Sequence, residues 1–313
     1  MAHKVAESAS KSLTPLCVEL GGKDPAIVLD DIVDSKSELN RVVSILLRGV
    51  FQSAGQNCIG IERIIACPRA YKVLVPILTS RIRSLTIGNA LTEPVDVGAC
   101  ISPLQFDRLE SLIADAVANR ARLLVGGKRY KHPKYPQGHY FQPTLLVGVT
   151  PDMKIAQEEL FAPICLLLPA SSPTQAVEIA NSTDYALGSS VFSLHPNSAD
   201  VRMITRELKA GMVAVNDFAA FYVSNLPFGG VKGSGYGRFG GVEGLRSVCN
   251  QKAVCRDRFY FWRTTIPGFC DLPVPNKEFG FKVMSAVLVG AYGSWGMLVV
   301  ALRHANKWKR EAK

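Results

Sequence analysis

One cysteine, Cys58, lies between a stretch with helical periodicity and a run of β-branched residues, and this junction constrains the fold most. Residues 40–51 repeat apolar side chains every three or four positions, which predicts a buried helix. Residues 61–67 predict a strand. Gly55 allows the sharp backbone turn between them, because glycine lacks the Cβ that restricts other residues. A helix that leads into a strand in this way is typical of α/β proteins.

The rest of the chain repeats this alternation, which predicts an α/β fold with a mostly parallel sheet. The chain has 313 residues, of which 48% are apolar, so it can bury a full core. Further helices are predicted at residues 2–12, 71–85, 106–122 and 173–180. Further strands are predicted at residues 16–20, 26–29, 123–125, 144–147, 164–168, 185–192 and 211–216. The glycine-rich run 229–237 predicts a loop that passes close to another segment.

Four motifs follow one another along the chain. They are E-L-G-G-K at 19–23, G-Q-N-C at 55–58, E-E-L-F-A-P at 158–163, and P-F-G-G-V-K-G-S-G-Y-G-R at 227–238. In this order they resemble the aldehyde dehydrogenase superfamily, over residues 18–238. The resemblance implies an aldehyde-dehydrogenase-like catalytic domain beside a remnant of a Rossmann-like dinucleotide domain. Ala162 stands where the family usually has glycine, which adds a methyl group to a tight turn.

Cys58 and Glu19 are the candidate catalytic residues. A thiolate adds to an aldehyde carbonyl, and the thioester left after oxidation must be hydrolysed by water that a base has activated. The resemblance implies Cys58 as the nucleophile and Glu19 as that base. Taken alone, Cys58 also fits a small buried apolar residue, and Glu19 also fits a structural carboxylate.

The cofactor and the substrate are assigned by the same resemblance. NAD or NADP is the implied cofactor, with Glu159 on the ribose beside the nicotinamide, Phe161 packed close to it, and Gly21 in the same site. Phe228 and Tyr222 match positions that line the substrate tunnel, and aromatic rings there suit a hydrophobic aldehyde. Ordinary core packing is the alternative for both rings.

The resulting prediction is an NAD(P)-dependent aldehyde dehydrogenase that oxidises an aldehyde to a carboxylic acid. Only one predicted helix and one strand precede Glu19, so we expect residues 1–21 to be a remnant and the chain to be part of a longer product. Two alternatives remain open. One is a catalytically incompetent, membrane-bound fragment or pseudoenzyme, and the other is a cofactor-independent esterase that uses Cys58 and Glu19.

Composition argues against several other classes of protein. The net charge is +10, but residues 303–313 hold five basic residues and one acidic residue. No basic stripe with aromatic residues precedes this tail, so nucleic-acid binding is not expected. The eight cysteines form no CxxC pair and the five histidines are scattered, so no metal site is expected. Most of the cysteines lie in apolar strings, which predicts reduced, buried thiols and a cytosolic domain.

The C-terminal part predicts a membrane anchor. Residues 283–302 carry no charge and are bounded by Lys282 and Arg303, which predicts a transmembrane helix followed by a basic tail at 303–313. A partly embedded hairpin around residues 290–293 is the alternative. With this C-terminal segment, the chain resembles membrane-associated eukaryotic members of the superfamily. This resemblance implies attachment to the endoplasmic reticulum with a cytosolic catalytic domain.

Between these parts, residues 22–248 are expected to form the catalytic domain and residues 263–282 a linker. Residues 249–262 are too apolar for a free tail, and family members carry an oligomerisation strand near their C-terminus. We therefore expect this segment to pair with another subunit in a homodimer or homotetramer.

Overall fold

The computed structural model describes residues 2–219, 225–261, 263, 265–268, 270–293, 296 and 299. The chain divides into a first unit of residues 1–250 and a second unit of residues 251–313. The described helices are α1 Ala2–Ser10, α2 Lys36–Phe51, α3 Pro68–Arg83, α4 Phe106–Ala118, α5 Lys154–Gln157, α6 Pro173–Asn181, α7 Ala199–Glu207, α8 Gly241–Ser247 and α9 Lys277–Tyr292. The described strands are β1 Val18–Glu19, β2 Pro25–Val28, β3 Arg63–Ala66, β4 Arg122–Val125, β5 Arg129–Tyr130, β6 Tyr140–Phe141, β7 Thr144–Val147, β8 Ile164–Pro169, β9 Ser190–Phe192, β10 Ala214–Val215 and β11 Gly235–Tyr236.

Seven strands form one sheet in the order β10-β9-β2-β3-β8-β7-β4. Every neighbouring pair is parallel except the antiparallel pair of β4 and β7. Every residue of β2, β3 and β7 is buried, as expected for a parallel sheet with helices on both faces. The predicted α/β fold with a mostly parallel sheet is therefore confirmed.

Helix α2 carries the chain from the edge of β2 to the segment of Cys58. The side chain of Ser35 caps its first turn by accepting a hydrogen bond from the N–H of Glu38, at 3.3 Å. Its buried residues recur at helical spacing along one face, which packs in the main core: Leu39, Val42, Val43, Leu46, Leu47, Val50 and Phe51. The periodicity of the sequence therefore located this helix, although it begins four residues earlier than predicted, at Lys36 rather than at residue 40.

The predicted strand at 16–20 is only two residues long and lies outside the seven-stranded sheet. It pairs antiparallel with Gly235–Tyr236, inside the glycine-rich run that was predicted to be a loop throughout. The run does pass close to another segment, because a Cβ on Gly235 would lie 2.0 Å from the carbonyl oxygen of Val18. Only glycine allows this approach, and the short ladder holds Glu19 at its end.

The second unit contains helix α9. Asn276 caps it by accepting a hydrogen bond from the N–H of Phe279, so the predicted linker is helical from Lys277 onward. The helix ends at Tyr292, and much of the remaining predicted anchor lies outside the described residues. Among the described residues we find no helix that has both the length and the apolar content to cross a bilayer. Residues 251–257 form neither helix nor strand, and the predicted pairing of residues 249–262 with another subunit stays a prediction.

Candidate active site

Glu19, Cys58 and Glu159 lie on the segments that lead into β2, β3 and β8. These three strands are neighbours and run parallel, so their amino ends share one edge of the sheet. Motifs that lie far apart in the sequence are therefore brought to the same edge.

The segment before Cys58 reverses direction through three consecutive left-handed residues. Ser53, Ala54 and Gly55 have φ of 55°, 54° and 71°. Left-handed backbone is strained for the first two, because they carry a Cβ, and such strain tends to persist at functional sites. A Cβ on Gly55 would lie 2.1 Å from the carbonyl oxygen of Ala162, so the turn before the cysteine packs directly on the loop that carries Glu159.

Cys58 is half-buried beside a small apolar cluster. The cluster contains Ile59, Leu187, Met212, Ala214 and Phe228, and Cys58 packs against it. Burial raises the pKa of the Cys58 thiol, and the nearby Glu19 carboxylate raises it further. Backbone N–H groups of Ile59 and of Cys58 itself act in the opposite direction and lower this pKa. The net effect is a raised pKa, so the neutral thiol is favoured over the thiolate in the resting protein. The charge of Glu19 contributes to this shift.

A single Gly-Gly turn holds the two predicted glutamates. Glu19 accepts a hydrogen bond from the N–H of Gly21 at 2.8 Å, and Glu159 accepts one from the N–H of Gly22 at 3.1 Å. Gly21 has φ of 82°, and a Cβ there would lie 2.3 Å from Oε1 of Glu159. The absence of a side chain at Gly21 therefore leaves the space that the carboxylate of Glu159 occupies. Burial raises the pKa of Glu159, and the charges of Glu62 and Glu19 add to this effect.

The loop of Glu159 is held by side chains that the motifs did not single out. The Glu62 carboxylate accepts hydrogen bonds from the N–H groups of Leu160 and Phe161. Arg108 donates to the carbonyl oxygen of Glu159 at 3.0 Å, and Gln105 donates to that of Phe161 at 3.1 Å. The loop is therefore fixed through its main chain.

Ala162, which stands where the family usually has glycine, fits this loop because its own backbone is not left-handed. The residue with positive φ is Phe161, at 50°, and Ala162 does not share that conformation. Ala162 is buried and belongs to the main hydrophobic core. The added methyl group therefore contributes to packing.

Four charged residues lie buried beneath the site, and none of them had a role predicted from the sequence. Lys23 and Glu62 form an ion pair at 2.6 Å, with the two residues only 1% and 7% exposed. Burial raises the pKa of Asp24 well above its ordinary value, and its Oδ2 accepts from the N–H of Gly188 at 2.9 Å. Burial lowers the pKa of Arg63 to about 10, and its guanidinium donates to three backbone carbonyls. One sequence signal could have revealed them: two adjacent charged residues occur where each of two apolar strands begins. Lys23 and Asp24 precede β2, and Glu62 and Arg63 stand where β3 begins.

The remaining predicted residues have mixed outcomes. Phe228 is 6% exposed, its ring centroid lies 4.7 Å from that of Phe239, and it belongs to the cluster that contacts Cys58. Tyr222 lies outside the described residues. No group of three or more His, Cys, Asp or Glu suited to a metal ion occurs in the described part of the chain.

The eight cysteines are all free. Three are buried, namely Cys67, Cys100 and Cys165. Three others are exposed, namely Cys17, Cys249 and Cys255. The expectation that most of the thiols are buried is therefore wrong, since only three of the eight are.

Comparison with known proteins identifies the family. Residues 1–254 match the aldehyde dehydrogenase family. The chain belongs to this family. It is 52% identical over 299 residues to an aldehyde dehydrogenase-like protein of Schizosaccharomyces pombe, covering 96% of this chain and 56% of that one. It is 34% identical to a succinate-semialdehyde dehydrogenase [NADP(+)] of Mycobacterium ulcerans, covering 80% of this chain and 52% of that one.

Solved structures agree with this membership. A betaine aldehyde dehydrogenase of Staphylococcus aureus, crystallised with NAD+, superposes with a TM-score of 0.74 at 30% identity, covering 84% of this chain and 52% of that one. A lactaldehyde dehydrogenase of Escherichia coli gives a TM-score of 0.70 at 30% identity, with 78% and 49% covered. The chain thus spans about half the length of the relatives that it matches.

The effect of the Glu19 charge on the Cys58 thiol predicts a specific shift in thiol reactivity. In Glu19→Gln the negative charge beside the thiol is lost, so the pKa of Cys58 should fall and its thiolate fraction near neutral pH should rise. The pH dependence of Cys58 alkylation by iodoacetamide, followed by peptide mass spectrometry, measures this. The exposed Glu207→Gln is the matched control and should leave the curve in place. A curve for Glu19→Gln that coincides with the parent's would show that Glu19 does not act on the thiol.

Proposed function

We propose that this protein catalyses the NAD(P)-dependent oxidation of a hydrophobic aldehyde to a carboxylic acid, with Cys58 as nucleophile and Glu19 as base. The observation that carries the proposal is the shared Gly-Gly turn. It holds Glu19 and Glu159 on adjacent N–H groups, and the charge of Glu19 acts on the thiol of Cys58. Family membership and the NAD+ and NADP names of relatives support the reaction type.

In the first step the sulfur of Cys58 adds to the carbonyl carbon of the aldehyde. The thiol proton passes to a base, for which Glu19 is the candidate because its charge acts on this thiol, and the carbonyl π electrons move to oxygen. The backbone N–H of Cys58 is a candidate donor to that oxyanion. The product is a thiohemiacetal on Cys58.

The residues around Glu159 fit a nicotinamide cofactor. The carboxylate of Glu159 lies over Gly21, and a side chain at position 21 would displace that carboxylate. Phe161 follows in the same loop, where its N–H donates to Glu62. We assign Glu159, Phe161 and Gly21 to cofactor binding. When bound, the cofactor supplies a hydride acceptor.

Glu19 releases the thiol proton to solvent and acts again in the last step, where the acyl group leaves Cys58. It accepts a proton from water, the water oxygen attacks the thioester carbonyl, and the carbon–sulfur bond breaks to release the acid and the thiolate. Glu19 is half-buried and its Oε1 is fixed by the N–H of Gly21, so the carboxylate keeps one orientation.

The hydrophobic character of the substrate rests on the cluster around Cys58. Phe228, Ile59 and Met212 are buried there and place apolar atoms against the nucleophile. By the family resemblance, Tyr222 joins Phe228 along the path of the aldehyde. Burying apolar substrate atoms against such side chains contributes about 25 cal/mol for each Å² removed from water.

The proposal is tested by incubating the full-length protein with a medium-chain aliphatic aldehyde and NAD+ or NADP+. The parent should reduce the nicotinamide, and Cys58→Ser should abolish the reaction because the nucleophile is gone. Glu19→Gln should form the acyl enzyme but hydrolyse it about 10²–10⁴-fold more slowly, the range usual for a lost general base. Cys270→Ser, outside the candidate site and outside residues 249–262, is the control and should keep full activity.

Two other outcomes would replace the proposal. Ester hydrolysis at Cys58 without any nicotinamide reduction would indicate the cofactor-independent esterase. A full-length protein with neither activity would indicate a pseudoenzyme.

We also propose that residues 249–262 mediate a homodimer or homotetramer. Val254, Phe259 and Phe261 are 64%, 48% and 71% exposed, and exposed apolar segments of this kind are typical of interfaces. Light scattering should show an oligomer for the parent and a monomer for Phe259→Glu/Phe261→Glu. Leu91→Glu, at a position that is 94% exposed in the first unit, should leave the oligomer intact. A monomeric parent at micromolar concentration would rule out this role.

We further propose that helix α9 attaches the protein to a membrane, on the cytosolic face of the endoplasmic reticulum by the family resemblance. Its uncharged residues 283–292 span about 15 Å at 1.5 Å per residue, which is half of a bilayer's hydrocarbon core of about 30 Å. Phe281, Leu288 and Val289 are exposed by 75%, 52% and 41%. These exposed apolar side chains give the helix a surface that can enter the hydrocarbon of a bilayer.

Flotation on phosphatidylcholine and phosphatidylserine vesicles tests this attachment. The parent should float with the vesicles, and Phe281→Glu/Leu288→Lys should remain at the bottom of the gradient because two charges enter the apolar surface. Val242→Lys, at a 54% exposed apolar position in the first unit, should float like the parent. A parent that stays with the soluble fraction at low ionic strength would contradict membrane attachment.

A further inference from the structure

Glu62 has no role assigned to it so far, yet its carboxylate accepts hydrogen bonds from three residues around the candidate site. It lies at the start of β3, four residues after Cys58. Its Oε1 accepts from the N–H groups of Leu160 and Phe161 at 3.0 and 2.9 Å. Its Oε2 accepts from the N–H of Leu160 at 2.9 Å and from Nζ of Lys23 at 2.6 Å.

We propose that Glu62 is the positioning residue for Glu159: its buried carboxylate clamps the turn at Leu160 and Phe161 and so sets where the Glu159 carboxylate meets the cofactor. The inference rests on the proposed function, in which Glu159 binds the nicotinamide ribose. Lys23 completes the clamp, because it joins this carboxylate to the segment that carries Glu19.

The hydrogen bonds to Glu62 hold the backbone of Phe161 in a strained conformation that would otherwise relax. Phe161 has φ of 50°, which is uncommon for a residue with a side chain and persists only where surrounding bonds enforce it. Hydrogen bonds to a charged acceptor are the stronger kind, and these are buried, so water competes little for them. The contact from Arg108 on the other side is weaker support, because that side chain is 40% exposed.

Glu62 acts on the cofactor loop far more than on the nucleophile. Its bonds reach Lys23, Leu160 and Phe161, and none of them reaches Cys58. The charges that raise the pKa of the Cys58 thiol most are those of Glu19 and Asp24. A change at Glu62 should therefore alter cofactor binding while leaving thiol titration in place, which a merely structural residue would not do.

The experiment is Glu62→Gln in the full-length protein, compared with Glu110→Gln. Glu110 is a matched control, because it also accepts from a backbone N–H, that of Arg129 at 2.9 Å, and also pairs with a cation, but on the surface. In Glu62→Gln the KM for the nicotinamide cofactor should rise about tenfold to a hundredfold, the effect of losing a hydrogen bond to a charged group, with a smaller change in kcat. The pH profile of Cys58 alkylation should not shift.

Amide hydrogen exchange gives a readout that needs no cofactor. The peptide 158–163 should exchange about tenfold faster in Glu62→Gln, because its N–H groups lose their acceptor, while the peptide over β7 should be unchanged. Glu62→Asp is the second variant: it keeps a charge for Lys23 but cannot reach both amides, so it should fold and show the same faster exchange.

Two results would overturn the positioning role. One is unchanged exchange of peptide 158–163 in Glu62→Asp and Glu62→Gln, whatever the enzyme's activity. The other is an equal loss of cofactor affinity, thiol reactivity and global exchange protection, which would make Glu62 a general stabiliser of the fold. A parent that reduces no nicotinamide refutes the proposed function instead, and the exchange result then decides the role of Glu62 by itself.

Discussion

Buried charge beneath the Gly-Gly turn is the constraint on which the rest of the first unit depends. Removing a charge from water is costly, and leaving one partner of a buried pair alone costs about 3–5 kcal/mol. Lys23 and Glu62 therefore have to meet, and Arg63 has to reach the carbonyls of Lys23, Ile179 and Ala180. These bonds tie β2, β3, α6 and the loop before β8 into one arrangement.

This arrangement explains why the candidate site lies at the amino edge of the sheet. Open α/β sheets commonly bind ligands beyond the carboxyl ends of their strands. Here the charged residues lie where β2 and β3 begin, and left-handed turns at Ser53–Gly55 and at Phe161 bend the chain before β3 and β8. The reactive groups thus sit on short, strained segments that are bonded to a rigid sheet, which keeps them in place before any ligand arrives.

Most of the sheet could be predicted from the sequence, because buried parallel strands appear as short, continuous runs of apolar residues. The sequence predicted a strand around β1 but neither its short length nor β11, since a dense glycine run resembles a loop and a two-residue strand carries no periodicity. Helix α7 was missed because only Val201 and Ile204 are buried along it, too few for a clear apolar face. The motifs predicted Glu19, Cys58 and Glu159, but Glu62 carries an ordinary surface residue type, and only its burial marks it as part of the site.

The electrostatics of Cys58 combine two demands that oppose each other. Glu19 has to lie near the thiol to activate water for the acyl group, yet its negative charge raises the thiol pKa and so disfavours the thiolate. The N–H groups of Cys58 and Ile59 offset part of that penalty from the backbone, where they cannot move away. The N–H of Gly21 donates to the Glu19 carboxylate, so main-chain donors hold this side chain as well as acting on the thiol. The strained turn before Cys58, the Gly-Gly turn and the buried ion pair therefore serve the same end. Together they hold the main-chain N–H groups that offset the negative charge beside the thiol, a charge that hydrolysis of the acyl group requires.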